Sequence, residues 1–120
     1  MSEIELNEYG VNKAIKYHIL EDEAMRKIGF TDHDTKTWYF CRSLKNKEIS
    51  FNVTIPKDGV SSLDILVLDE DFGQPYDYQY ILGKNPNFEF ALCVKDEVEE
   101  WMSYLQDAGV LSGHEYGEYI

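Results

Sequence analysis

From Glu48 to Ile55 polar and apolar residues alternate without a break, with Ile49, Phe51, Val53 and Ile55 set against Glu48, Ser50, Asn52 and Thr54. A period of two belongs to a strand with one dry side and one wet side. Pro56-Lys57-Asp58-Gly59 supplies a turn after it, and further apolar runs follow at 63–68 and, beyond Gly73-Gln74-Pro75, at 76–82. Before it, Thr37 to Leu44 is rich in aromatic residues and reads as a strand, with Trp38, Phe40 and Leu44 on one side and Arg42 the odd member there. Lys45-Asn46-Lys47 makes a hairpin loop between the two. These four runs predict a four-stranded antiparallel meander.

Helical spacing flanks the meander. Glu21-Asp22-Glu23 places acid at a helix start, Arg26-Lys27 places base near its end, and Gly29 stops it. The pattern predicts one helix over 12–28, although Ile15, Tyr17 and Ile19 also alternate like a strand. After Gly83, Asn85 suits an N-cap and Pro86 a first helical residue. Ala91, Val94, Val98, Trp101, Met102 and Leu105 then share one face at helical period, which predicts a helix over 86–108 ended by Gly109. The rival reading makes 88–94 a fifth strand and starts the helix at an Asp96 cap with Glu99 completing a capping box. Continuation of the stripe through Ala91 and Val94 favours the long helix. The expected fold is α+β, a four-stranded antiparallel sheet with an N-terminal helix and a longer C-terminal helix on one face. It forms one domain over 1–120, with 1–11 a loose arm and 112–120 a tail laid along the surface.

Composition narrows the function classes. Hydrophobic residues at 43% and aromatics at 14% suffice for a core. No apolar run reaches the ~20 residues that span a bilayer, and Met1-Ser2-Glu3-Ile4-Glu5 opens with acid rather than base, so the chain reads as cytoplasmic. Cys41 and Cys93 lie in apolar-patterned segments without a C-x-x-C, and read as reduced thiols in the core. Charge changes the picture more. Of the formal net charge of −12, residues 1–60 carry nine Lys/Arg against ten Asp/Glu, and residues 61–120 two against thirteen. Such a field opposes direct binding to nucleic acid or anionic lipid and favours a basic protein partner or bound cations.

The candidate chemistry is sparse. Asp69, Glu70, Asp71 and Asp77 concentrate in one loop, but from Asp69 the EF-hand positions five, six and twelve are Gly73, Gln74 and Tyr80, so that calcium motif fails. His18, His33 and His114 lack zinc spacing. Phosphate loops and the G-x-S-x-G elbow are absent, so no cofactor, metal ligand or catalytic residue is nominated. Tyr76, Tyr78 and Tyr80 would share one face of the fourth strand, where their acidic neighbours argue for core or interface tyrosines over a base-stacking platform. On a helix over 86–108, Glu89, Asp96, Glu100 and Asp107 fall within about 20° of one line opposite the apolar face. That is the solvated side of an amphipathic helix, or a rod of carboxylates imitating a phosphate backbone.

The function expected from these features is a non-enzymatic interaction or regulatory module. Its binding residues are Asp69, Glu70, Asp71, Phe72, Tyr76, Asp77, Tyr78, Tyr80, His114 and Tyr116, with the acidic helix face as a second, nucleic-acid-mimicking surface. The alternative is a small hydrolase or metal-dependent enzyme built from His33, Asp34 and the 69–77 loop. Pairing with a second copy through a sheet edge is a further expectation.

Overall fold

The alternating segment becomes the central strand. A computed structural model describes residues 4–46 and 48–120. In chain order the elements are β1 (Lys16–Tyr17), α1 (Asp22–Ile28), β2 (Thr37–Ser43), β3 (Ile49–Pro56), β4 (Asp64–Asp69), β5 (Gln74–Pro75), α2 (Tyr78–Lys84), α3 (Glu89–Asp107) and β6 (Leu111–Ser112). Strands β2 to β5 form an antiparallel sheet in sequence order, while β1 and β6 pair in a separate two-stranded ladder. The α+β class with a four-stranded antiparallel sheet and a long C-terminal helix is therefore observed.

The register places the dry residues of three strands side by side. Phe40 lies opposite Val53 and Val53 opposite Ile65, while Phe51 faces Val67. All are buried, as are Trp38, Ile49 and Ile55 on the same face. Ala91, Val94, Val98, Met102 and Leu105 of α3 are buried with them in one core. Phe40 sits at the join, its ring 5.1 Å from Phe30 and 5.6 Å from Trp101. Burial of each such side chain stabilises by about 1.5–3 kcal/mol. Arg42, the charged residue on the dry side, lies with its guanidinium 4.3 Å from the Phe40 ring centre and 5.6 Å from Trp101. It closes the core's edge through cation–π contact. A Cβ on Gly29, whose φ is +126°, would run into that guanidinium.

Several expected elements differ. Residues 76–82 do not form a strand: β5 stops at Pro75 after pairing Pro75 with Leu68 and Gln74 with Asp69. The Asp77 carboxylate accepts the Tyr80 amide at 2.9 Å and starts α2 there. Tyr78, Ile81 and Leu82 then turn inward at helical spacing, which the period-two tyrosines conceal. The N-terminal helix is confined to 22–28, because Lys16 and Tyr17 pair with Ser112 and Leu111 and the His18 amide donates to the Val110 carbonyl at 2.7 Å. Asn85 closes α2 rather than capping the long helix, which begins at Glu89, and the rival strand over 88–94 is helix. Both cysteines, expected in the core, are exposed.

The described parts of both terminal segments are fastened. Of the segment read as a loose arm, residues 1–3 lie outside the described residues, as does Lys47 of the hairpin loop. In the described part, Leu6 bridges Asn12 and the Asn7 side-chain amide donates to the Leu63 carbonyl at 2.7 Å. In the C-terminal segment, the Tyr119 carbonyl accepts from the Asn12 side chain at 2.8 Å and the Glu118 carbonyl from Gln79 at 3.0 Å. His114 and Ile120 are buried. No helix among the described residues is long and apolar enough to cross a membrane.

Candidate functional site

Helix α3 sorts its side chains by phase. With about 100° per residue, the apolar stripe goes to the core and the opposite stripe, Glu89, Cys93, Asp96, Glu100, Ser103 and Asp107, is exposed throughout. Its carboxylates extend over about 27 Å at 1.5 Å per residue. Among the described residues the ion pairs are Arg26–Asp32 and Lys57–Asp32, and the His114 imidazole faces Glu99, so no stripe carboxylate has a cation partner. Asp96, Glu100 and Asp107 line an open trough of about 580 Å³ together with Ser103, Tyr104 and Tyr116. Tyr104 is held by donating its hydroxyl to the Ile28 carbonyl at 2.6 Å. Tyr116, 71% exposed, meets the Lys95 ammonium 5.2 Å from its ring centre.

One turn inward the chemistry changes. The Glu99 carboxylate faces the His114 Nε2 at 2.9 Å and accepts the Gly117 amide at 3.3 Å. The His114 amide donates to Gln106 Oε1 at 3.0 Å. The His114 side chain is only 2% exposed, and its Nδ1 and the Tyr78 hydroxyl are buried without a hydrogen-bond partner among the described residues. Burial, then the negative charges of Glu99, Asp77 and Tyr119, push the Tyr78 hydroxyl well above the tyrosine range. A carboxylate, an imidazole and a phenol thus gather under the C-terminal segment, where Glu99 and Tyr78 also line a cavity of about 240 Å³ with Gly117 and Tyr119. This group holds the segment down.

The acidic loop is mostly self-satisfied. Asp69 accepts the amides of Asp71 and Phe72 at 3.1 and 3.3 Å, Glu70 accepts the Ser50 hydroxyl at 2.6 Å, and Asp77 caps α2. Asp71, Phe72 and Tyr80 are left facing solvent. Tyr76 is half-buried with its ring 5.5 Å from Phe90, and Tyr78 is buried. The three tyrosines therefore do not share a surface. Of the tail residues His114 points inward, whereas Tyr116 joins the α3 stripe rather than the 69–77 loop.

The residues of the alternative enzyme do not meet. Asp34 accepts the Tyr39 hydroxyl and the Lys36 amide, each at 2.8 Å, and the Tyr39 bond foremost holds its carboxyl below the usual range. His33 and Asp34 precede Thr37, which pairs with Pro56 at one end of the sheet, while Asp69 pairs with Ile49 at the other. The two ends are about 23 Å apart along β3 at ~3.3 Å per residue. Among the described residues no group of three His, Cys, Asp or Glu is placed to hold a metal ion.

The outer edge of β2 is largely closed. Thr31 and Tyr39 exchange two bonds of 2.8 Å, and the Arg42 guanidinium donates to the Cys41 carbonyl at 2.8 Å. Such capping leaves little of the β2 edge free for another strand to extend. The Cys41 thiol beside it is pushed up, first by burial and then by Glu70, which disfavours a reactive thiolate.

Two parts of this arrangement escape sequence reasoning. Glu99 borders the apolar stripe beside Val98, a phase that signals partial burial, but nothing local names His114 as its partner. Tyr104 is recognisable only as the residue four after Glu100, at the border of the acidic stripe. No known protein family, curated protein or solved structure matches the chain.

Proposed function

We propose that this chain is a non-enzymatic protein-binding module whose contact surface is the outer face of α3, flanked by Tyr104 and Tyr116, and whose partner is a basic protein. One observation carries the reading: four exposed carboxylates stand in a row about 27 Å long without a cation partner among the described residues. Like charges at i, i+4, such as Asp96 and Glu100, destabilise a helix by about 0.2–0.5 kcal/mol per pair. A charged partner removes that cost. Carboxylates steer a basic partner into encounter, and tyrosines supply contact area. A nucleic-acid enzyme's basic groove is one such partner, met by a carboxylate rod in place of a phosphate backbone. The two exposed, free cysteines suit a reducing compartment, and the proposed location is the cytoplasm.

Affinity capture from lysate of the native host, with the wild-type chain and an Asp96→Asn/Glu100→Gln/Asp107→Asn variant at low and moderate salt, tests this reading. The expected outcome is a basic protein held by the wild type at low salt, weakened by moderate salt and lost from the variant. Equal capture by both chains would remove the α3 face from the account.

A further inference from the structure

The cavity of about 240 Å³ under the C-terminal segment has a wall of mixed chemistry. Tyr78 is 2% exposed, and its hydroxyl lacks a hydrogen-bond partner among the described residues. A buried hydroxyl left unpaired is costly, and burial keeps this one protonated at neutral pH, ready to donate. Glu99 and Tyr119, whose charges act on that hydroxyl, line the same cavity. Asp77, the other carboxylate acting on it, is occupied as the α2 cap.

Two opposite charges complete the wall. Lys95 and Glu99 both line it, one helical turn or about 6 Å apart along α3, yet no ion pair joins them among the described residues. Lysine before glutamate is the weaker order for such a pair, and the Lys95 ammonium lies 5.2 Å from the Tyr116 ring centre. Glu99 spends one oxygen on His114 and the other on the Gly117 amide, and each keeps a further lone pair. Gln79 donates its side-chain nitrogen to the Glu118 carbonyl, which leaves Oε1 as a second acceptor. Leu82 adds an apolar patch.

We propose that this cavity binds a free α-amino acid with an apolar side chain. Its ammonium donates to Glu99 and Gln79, and its carboxylate accepts from the Tyr78 hydroxyl and the Lys95 ammonium. Its side chain lies against Leu82. A simple cation would be repelled by Lys95 and a simple anion by Glu99, whereas a molecule carrying both charges matches the wall. Size agrees. A cavity of about 150 Å³ holds a benzene ring, so this one takes about ten non-hydrogen atoms, close to leucine or methionine. The site does not depend on the acidic outer face of α3.

Isothermal titration calorimetry of the full chain with L-valine, L-leucine and L-methionine tests the proposal. Leucinamide, which lacks the carboxylate, and isocaproate, which lacks the ammonium, are the matched controls. The expected result is saturable binding with a Kd at or below about 1 mM. Removal of either charge should weaken it at least ~tenfold, the size of one hydrogen bond to a charged group. Tyr78→Phe should weaken it as much without loss of stability in urea, because the hydroxyl it removes has no protein partner. Lys95→Met, outside the core, should also weaken it. The Asp96→Asn/Glu100→Gln/Asp107→Asn variant should bind as the wild type does. Absence of binding by all three amino acids at tenfold that concentration overturns the proposal and leaves the cavity to water. Equal affinity for leucine and both controls, or undiminished binding by Tyr78→Phe, overturns it as well. Loss of binding in the triple variant would place the ligand on the outer stripe and overturn the cavity site.

Discussion

Glu99 and Glu100 are consecutive residues of α3, yet Glu99 is buried against His114 while Glu100 stands exposed without an ion-pair partner among the described residues. The difference is a rotation of about 100°. Turned inward, a carboxylate must be compensated, and it finds an imidazole and a backbone amide belonging to the C-terminal segment. Turned outward, the same group joins Asp96 and Asp107 in a row of carboxylates without an ion-pair partner among the described residues. The inner carboxylate ties one part of the chain to another. The outer ones remain available to another molecule. Acidity alone therefore does not mark a binding residue: Asp69, Glu70 and Asp77 are as acidic as the stripe, and their carboxylates are engaged in turns, a buried serine and a helix cap.

Breaking the inner pair should have the largest effect. His114→Ala leaves a buried carboxylate uncompensated and is expected to cost about 3–5 kcal/mol in urea denaturation, whereas Glu100→Gln stays within about 0.5 kcal/mol. Similar losses from both would erase the distinction between the two sides of α3. A smaller loss, more than ~1 kcal/mol, is expected for Gly113→Ala, because the position has φ +87° and a Cβ there meets the Ala14 carbonyl. Wild-type stability in this variant would show that the C-terminal segment is not seated as described.

Asp64 is an intermediate case that sharpens the comparison. It is half-buried, and burial pushes its carboxyl above the usual range. The native state holds that proton more tightly than the unfolded chain, so stability falls as pH rises through the carboxylate range and stays reduced above it. Asp64→Asn should raise the melting temperature near neutral pH and leave it unchanged where carboxylates are protonated. A lowered melting temperature at neutral pH would mean that the charged form is stabilised by contacts not accounted for here.

The sheet was legible where period two met a large buried side chain, as in β3, because side-chain alternation and burial report the same fact. Tyr76-Asp77-Tyr78-Gln79-Tyr80 showed the same alternation for another reason. Its Asp is a cap, and its tyrosines divide into one half-buried, one buried and one exposed. Residues 12–20 carried both periods, and long-range pairing with Leu111 and Ser112 decided between them. The α3 stripe was readable from spacing alone, since helix phase is a local property. The Glu99–His114 pair was not, since the return of the chain past Gly113 is set by tertiary contacts. Exposure of Cys41 and Cys93 follows from phase too: Cys41 lies on the side of β2 opposite Phe40, and Cys93 on the outer line of α3.

The measurement closest to the central claim is a titration of isotope-labelled protein with a Lys/Arg-rich decapeptide at low salt, followed by backbone amide chemical shifts. The account predicts perturbations concentrated at Asp96, Glu100, Ser103, Asp107 and Tyr116, reversed by added salt and absent from the Asp96→Asn/Glu100→Gln/Asp107→Asn variant. Perturbations centred instead on Asp71, Phe72 and Tyr80, or an unchanged pattern in the variant, would contradict it.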